Sequence, residues 1–552
     1  MLPSPVLQPW ISVYMDPQRA HKAFFLLTTA TSRTPRSLLG MFLAVAATAA
    51  AVLIYRFWAN LASVNYDPGM RPLFAPLGIV GALIPTCWGN PGLKWVWEWR
   101  RTNFFSYKYD VVSMVPLLVG EPCYYTCSVD VVRQLLQNET KTRLVKPRWL
   151  TAPLFLWGEN VISANDEVWK RHRRILAPTF TAKTYSLVVT ETTAAYREMF
   201  VSEGWENRDE VAVADMNRLA HKLALIIIAR CGFGFRTPWT EAPESSAEMS
   251  FGESLLVVSS SAITRLVVPK WAYNLPIETI RVVDTAWRTL GAFMHRFVEA
   301  RRAELNGITG DDAQPGDIFS RLVSCMDQDS KTQLSEEEVI GNTFALLFAG
   351  RETTACAIVA TLGFLAIHQE HQATAYAEIM ASIPAGRDPV LDDLSKLQHL
   401  MACYHESIRM YPGGAMLTRE MTEDVVIKVA RPVETTMVLK KGALMVVEMI
   451  AVHHNPHVFP DPNEFRPSRW YGVPEADVPM FGAGPRACIG KKFSHTEALC
   501  FLSLLLRDWK IDVPLNLGES RAQYEDRVMG RAGRVGLSFG CGSIALKMSR
   551  RK

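Results

Sequence analysis

The sequence predicts a mostly α fold with small β-sheets (α+β), a single large body behind an N-terminal transmembrane helix. Three observations carry that expectation. At 552 residues length alone suggests roughly three or four domains, yet no Ser/Gly-rich linker, charge block or internal repeat divides the chain. The loop-like stretches are short, Arg236 to Ser246 and Asn306 to Gly316. An uncharged run lies near the amino end, and the helical signals far outweigh a few short alternating apolar runs.

The amino end comes first. Leu38 to Tyr55 is free of charge, and as a helix rising about 1.5 Å per residue it reaches roughly 27 Å, close to the ~30 Å hydrocarbon core of a bilayer. Tyr55, Phe57 and Trp58 follow it as an aromatic belt would. The run is too long, and begins too far in, for a cleaved signal peptide. The reading divides the chain into a tail over 1–37, an anchor over 38–58, a hinge or membrane-associated segment over 59–106 and a catalytic body over 107–552. Arg19, Lys22, Arg33 and Arg36 precede the span while only Arg56 and Arg71 follow closely, so charge alone would keep the tail in the cytosol and send the body across. A second uncharged run, Pro72 to Leu93, could cross back, but Pro76, Pro85 and Pro91 make it a poor spanning helix and a better hinge. The acid-poor, Ser/Thr/Arg-rich first 37 residues also have some likeness to a mitochondrial presequence.

Within the body, alternating apolar residues from Val111 to Tyr125 suit a small sheet. Met437 to Val447 reads as another sheet segment turning at Lys440-Lys-Gly442, followed by His453-His-Asn-Pro456. Ser335-Glu-Glu-Glu338 is a capping box that opens a helix running to about His368, about 50 Å long. The net charge of +4 is small and evenly spread. It excludes a nucleic-acid role and suits an acidic protein partner or an anionic membrane face. The ten cysteines contain no Cys-x-x-Cys pair, so neither a zinc site nor a disulfide framework is indicated, and most suit packing in a reducing compartment.

One cysteine stands apart. Phe481-Gly-Ala-Gly-Pro-Arg-Ala-Cys-Ile-Gly490 sets Cys488 in a glycine-rich turn, with Arg486 before it, Gly490 after it and a helix from Lys491 to Leu506 next. Glycines let backbone approach a flat partner closely, and turn N–H groups with a helix start stabilise a thiolate. Such a thiolate is a good axial ligand for haem iron. The segment resembles the haem-binding loop of cytochrome P-450 monooxygenases. The resemblance covers roughly Tyr107 to Met548 and implies that family's fold, with a long central helix over haem b and Cys488 as the iron's axial ligand.

Further motifs fall in the family's order. Ala349-Gly-Arg-Glu-Thr-Thr354 sits mid-helix, where Gly350 and a back-bonding Thr would open the ladder locally. The motif resembles the family's oxygen-activation segment, with Thr353 holding a water and Glu352 relaying protons, the acid and alcohol that stepwise protonation of reduced dioxygen needs. Arg351 stands where many relatives carry His and is expected to matter little. Glu406-Ser-Ile-Arg409 with Arg469 resembles the family's structural Glu-Arg-Arg triad. Trp169 and Arg173 on one helix face, with Arg486 and Arg419, match the positions of haem-propionate contacts, and Phe481 and Gly490 complete the cofactor loop. Lys170, Arg171, Arg174, Lys491 and Lys492 would surround the cysteine side of the haem. They would steer an NADPH–cytochrome P-450 reductase, or cytochrome b5, by complementary charge.

The resemblance implies a monooxygenase that inserts one atom of O2 into an apolar small molecule entering from membrane lipid. The recess would be lined from 145–165, 344–354, 413–417 and 531–535, including Trp149, Leu154, Phe155, Leu156, Trp157, Phe344, Leu347, Phe348, Met416 and Leu417. The sequence around Arg171 to Phe180 and Ser335 to Ala355 looks like microsomal enzymes of fungal secondary metabolism, where terpenoids are frequent substrates, which sets the body on the cytosolic face of the endoplasmic reticulum. Two other readings stand beside it. One is a haem-thiolate enzyme that rearranges or dehydrates its substrate, for which Glu352 and Thr353 would be superfluous. The other is a non-catalytic haem sensor or membrane scaffold, which gives an acid–alcohol pair opposite a thiolate no purpose.

Overall fold

The computed structural model describes residues 38–100, 107–137, 144–235, 237–240, 249–307, 317–326, 332–384, 386–473 and 478–551. The tail with Arg19, Lys22, Arg33 and Arg36 lies outside them, as do Arg236 and most of the two loop-like stretches. The chain forms two units, one drawn from Met1–Pro147, Met416–Pro462 and Ala483–Pro485, the other from Arg148–Ala415, Asn463–Gly482 and Arg486–Lys552.

The first unit begins with helix α1, Leu38–Ser63. It is long and apolar enough to cross a membrane, and almost all of that stretch is exposed. The helix runs past the expected end at Trp58 because its last turns face protein. Phe57, Trp58, Leu61 and Val64 pack with Val111, Tyr124, Leu135, Ile427 and Met445. The chain then enters a six-stranded sheet made of β1 (Gly69–Met70), β2 (Val111–Met114), β3 (Cys123–Thr126), β4 (Leu144–Val145), β5 (Met416–Met421) and β8 (Leu444–Glu448), in the order β1-β2-β3-β8-β5-β4. β1 lies so close to β2 that a Cβ on Gly69 would sit 1.8 Å from the Ser113 carbonyl oxygen. Part of the segment expected as a hinge, Gly69–Met70, is therefore built into the sheet. Every residue of β8 is buried, Glu448 at its end included, which suits the apolar run of its first four residues. Helix α2 (Val129–Gln137) packs its Val131 and Leu135 face into the same core. β6 (Val425–Val429) and β7 (Thr435–Leu439) form a separate hairpin. The turn at Lys440-Lys-Gly442 is present, with Gly442 at φ +83°. It does not close a hairpin, because β7 before it and β8 after it belong to different sheets.

The second unit is helical: α3 (Asp166–Leu176), α4 (Ala182–Ser202), α5 (Met216–Phe233), α6 (Phe251–Val267), α7 (Glu278–Gly307), α8 (Glu336–Ile367), α9 (Gln398–Met410) and α10 (Lys491–Asp508). It also carries a hairpin of β9 (Ala532–Val535) with β10 (Ser538–Cys541), and a three-stranded sheet of Glu210–Val213, Trp509–Asp512 and Leu546–Arg550. α8 starts as the sequence predicts. The Glu338 N–H donates to Ser335 Oγ at 3.2 Å, and the Ser335 N–H to Glu338 Oε2 at 2.9 Å. Glu338 also takes Arg171 and His172 from α3. α8 too passes for a membrane span by length and composition, but 83% of that stretch is buried, which makes it the core helix of the unit. It is α-helical throughout, so Gly350 opens no gap. A Cβ there would lie 2.9 Å from Ile228 Cγ1, and glycine serves instead to let α5 approach.

Candidate functional site

The cysteine loop closes on itself before α10 begins. The Cys488 N–H donates to the Phe481 carbonyl at 2.8 Å, and Gly482 takes a left-handed φ of +75° that a side chain would resist. Of the ten cysteines, Cys87 and Cys488 are exposed and the other eight buried. Dense surrounding protein raises the Cys488 pKa, while the Gly490 and Lys491 N–H groups and the Arg173 and Lys491 charges act in the opposite direction. Cys488 is thus an exposed residue whose sulfur is still closely surrounded by protein. Gly490 keeps an ordinary φ of −86° as N-cap of α10; a Cβ on it would touch Sγ at 4.0 Å, so the bare backbone leaves that side of the sulfur uncovered.

α3 brings Trp169 and Arg173 to this loop. The Arg486 guanidinium lies 4.4 Å over the Trp169 ring and donates to the Ala164 carbonyl at 2.8 Å. Arg173 is half-buried. Burial lowers its pKa, the Cys488 sulfur being the one opposing influence, and among the described residues no carboxylate pairs with it. Of the expected basic patch, Arg171 is turned to Glu338 and Lys170 pairs with Glu167 at 2.7 Å. Lys491 and Lys492 lie over the rings of Phe481 and Tyr185, at 5.8 and 4.8 Å. Arg419 belongs to the other unit. It is buried on β5 opposite Met445 and donates to its neighbour's carbonyl, Thr418 O, at 2.8 Å.

In α8 the Thr353 hydroxyl donates to the Ala349 carbonyl at 2.7 Å, which leaves its oxygen lone pairs to accept. A Cβ on Gly413 would meet Thr353 Cβ at 3.3 Å. The Glu352 carboxylate enters the turn between β9 and β10, where Oε2 accepts the Leu537 N–H at 3.1 Å. Burial raises its pKa, offset in part by Ser259, Leu537, Arg351 and Ser538. Arg351, expected to be unimportant, is only 5% exposed, and its Nε and Nη1 are buried without a hydrogen-bond partner among the described residues. On α5, His221 likewise has both ring nitrogens buried and unpartnered. Burial, then the Arg351 charge, holds its pKa down at about 4.

Several residues at the site gave no signal in the sequence. His495 on α10 sits 5.0 Å edge-on from the Phe481 ring and shares a hydrogen bond with His405 of α9, Nε2 to Nε2 at 3.3 Å. Ser494 accepts from Thr354 Oγ1 at 3.1 Å and meets the Tyr404 hydroxyl at 2.8 Å, tying α8, α9 and α10 together just behind the loop. Only helical spacing from Cys488 could have pointed to them. The triad, by contrast, assembles. Arg409 donates to both Glu406 oxygens at 2.8 Å and Arg469 Nε to Oε1 at 3.2 Å. Two further donors complete it, the Trp470 indole at 2.9 Å and the Arg466 N–H at 3.0 Å.

Of the expected lining residues, Phe344 and Phe348 stack at 6.2 Å, and Trp157 lies on Trp287 at 4.8 Å with planes 10° apart. Trp287, from α7, was not foreseen. Trp149 is exposed.

Comparison with known proteins fits this geometry. The family described as Cytochrome P450 matches residues 102–525. A cytochrome P450 monooxygenase of Postia placenta is 28% identical over 89% of this chain and 96% of its own length. The monooxygenase prx9 of Penicillium rubens is 28% identical over 80% of this chain and 83% of its own, and human cytochrome P450 4F2 is 28% identical over 71% and 76%. Among solved structures, the haem domain of cytochrome P450DA superposes with a TM-score of 0.67 at 21% identity, covering 87% of this chain and 97% of that one. A zebrafish cytochrome P450 with progesterone gives 0.64 at 19%, covering 82% and 99%. With a family match over most of its length, relatives matched nearly end to end and the fold of solved members, the chain belongs to the cytochrome P450 family and is an oxidoreductase of its monooxygenase class.

Proposed function

We propose that Cys488 is the axial thiolate of haem b, and that the chain inserts one atom of O2 into an apolar, terpenoid-like molecule of fungal secondary metabolism. The electrons come from NADPH through a flavin reductase at the endoplasmic reticulum membrane, with cytochrome b5 as an accessory donor. The observation that carries the reading is the Cys488 sulfur itself, open on one side and facing two backbone N–H groups and two cations on the others. That donor set fits a haem thiolate. The Arg173 guanidinium, without a carboxylate among the described residues, fits a propionate, and the Arg486–Trp169 stack holds a second cation and an indole at the same place. Arg419, buried on β5, is assigned to the propionates by its position in the sequence.

Haem bound there supplies the activation of dioxygen. The protein's own residues do the rest. The N–H groups of Gly490 and Lys491 hold negative charge on the sulfur. Thr353, with its proton committed to Ala349, accepts from a water and orients it. Glu352 replaces the protons that this water passes on. The aromatic wall of Phe344, Phe348, Trp157 and Trp287 suits an apolar substrate and keeps bulk water away from it. The fungal relatives support the secondary-metabolite assignment.

The test is the carbon monoxide difference spectrum of reduced microsomes carrying the full chain. A thiolate-type Soret band is expected, lost in Cys488→Ala, and its retention in that variant would overturn the assignment. NADPH-dependent conversion of a fungal metabolite extract separates monooxygenation from a rearrangement that consumes no NADPH. For the partner, reversing charge with Lys491→Glu and Lys492→Glu slows iron reduction without changing substrate affinity; an unchanged reduction rate removes this surface from the reading.

A further inference from the structure

The relay acid is held by a part of the chain that no motif singles out. Glu352 is 2% exposed, yet its carboxylate meets no lysine, arginine or histidine in an ion pair among the described residues. Its hydrogen-bond donors are neutral. The Leu537 N–H reaches Oε2 at 3.1 Å, with the Ser538 N–H beside it in the same turn, and Ser259 of α6 lies by the same carboxylate while its own hydroxyl donates to the Leu256 carbonyl at 3.1 Å. The turn accepts the acid because residue 536 is glycine, on two separate counts. Gly536 has φ +63°, and a Cβ on it would lie 2.1 Å from Glu352 Oε1 and 2.6 Å from Cδ. Any side chain there would occupy the carboxylate's place.

Such an arrangement is built for a carboxyl group that changes charge. Backbone N–H donors stabilise the ionised form without neutralising it, and a hydroxyl can accept from the acid or donate to the carboxylate. A fixed cation would instead have locked the charge in place. We propose that the Gly536–Ser538 turn and Ser259 form a clasp that positions Glu352 for proton transfer, Gly536, Leu537 and Ser259 being positioning residues for the relay. This rests on the reading of Glu352 as the proton donor. In the step, the O–H bond of the Glu352 carboxyl breaks and its proton passes to the water held by Thr353 as that water gives one of its own protons to the dioxygen being reduced. The clasp N–H groups hold the carboxylate that remains, and a hydronium proton from solvent re-forms the O–H bond, leaving water. The same turn closes the β9–β10 hairpin, whose first strand is assigned to the substrate recess, so acid placement and substrate contact share one element.

The test uses the full membrane-anchored holoenzyme with its reductase, with NADPH oxidation measured in H2O and D2O without added substrate. Glu352→Gln should slow oxidation by about 100-fold and raise the solvent isotope effect. Gly536→Ala should slow it by about tenfold with the same rise in isotope effect and an unchanged carbon monoxide spectrum, and Ser259→Ala should do so to a smaller extent. Shortening the acid makes room for the new methyl, so Gly536→Ala with Glu352→Asp should recover most of the lost rate. A second readout is thermal: Gly536→Ala should lower the melting temperature clearly more in the native background than in Glu352→Ala, where the clash is gone and only the strain of the left-handed backbone remains. If Glu352→Gln is silent in the kinetics, the relay reading fails, while the thermal cycle still decides whether the clasp exists. If Glu352→Gln acts but Gly536→Ala and Ser259→Ala leave rate and isotope effect unchanged, or the thermal cycle shows no coupling, the clasp is overturned alone.

Discussion

Glu406 and Glu352 lie on helices of the same unit, both sealed from solvent, and they are held in opposite ways. Around Glu406 two arginines, an indole and a backbone N–H converge, and the donors come from α9, from the short turn at Pro467–Trp470 and from Arg466 just before that turn. Around Glu352 the donors are neutral, and the nearest guanidinium, Arg351, makes no ion pair with it among the described residues. A carboxylate bound by two cations, an indole and a backbone N–H serves the architecture. One whose hydrogen-bond donors are neutral, and whose pKa burial raises, is suited to chemistry.

That contrast breaks most visibly at Glu406. Glu406→Gln leaves two buried guanidinium groups uncompensated, so a loss of about 3–5 kcal/mol is expected, read as a collapse of folded, haem-loaded protein in expression and thermal melts. Were Glu406→Gln to melt like the native protein, the structural half of the comparison would be wrong. Glu352→Gln should do the reverse, with stability kept within about 1 kcal/mol because its donors are neutral, and the loss appearing only in proton-dependent turnover. Arg351→Met sharpens the point, since it removes a buried cation whose Nε and Nη1 have no hydrogen-bond partner among the described residues, and it should raise stability by about 1 kcal/mol by the same desolvation argument; a drop in melting temperature would mean that buried water or an anion satisfies the group. The smallest effect concerns pH. His221 has an ordinary pKa of 6.5 held down at about 4 in the fold. The unfolded chain therefore takes up a proton below pH 6.5 that the folded protein refuses, and stability falls as pH drops from about 6.5 to about 4. Arg351 opposes protonation and Asp215 favours it. His221→Phe should flatten that part of the stability–pH curve, measured by denaturant titration.

The sequence made legible whatever rests on local chemistry. The α8 capping box, the α10 start, the Cys488 turn, and Glu406 with Arg409 each lie within a few residues of one another, so spacing alone placed them. Trp169 and Arg173 were readable as one helix face, but not that Arg486 would lie over the Trp169 ring. What stayed hidden depends on contacts between distant segments. Ser259 and Leu537 reach Glu352 across 93 and 185 positions, and His405 and His495 meet across 90. Gly350 misled for the same reason, because a glycine mid-helix reads as weakness until Ile228 is seen against it. Arg351 was passed over because its difference from the His of many relatives was expected to matter little, and only the fold shows it buried.

The last turns of α1 have a practical consequence. Phe57, Trp58, Leu61 and Val64 belong to the sheet core, and the Asn65 amide donates to the Val438 carbonyl at 3.0 Å, so the anchor is joined to its unit as a strut. A truncation meant to free the catalytic body from lipid should cut ahead of Phe57. Cutting at Ser63 would uncover apolar sheet surface and favour aggregation.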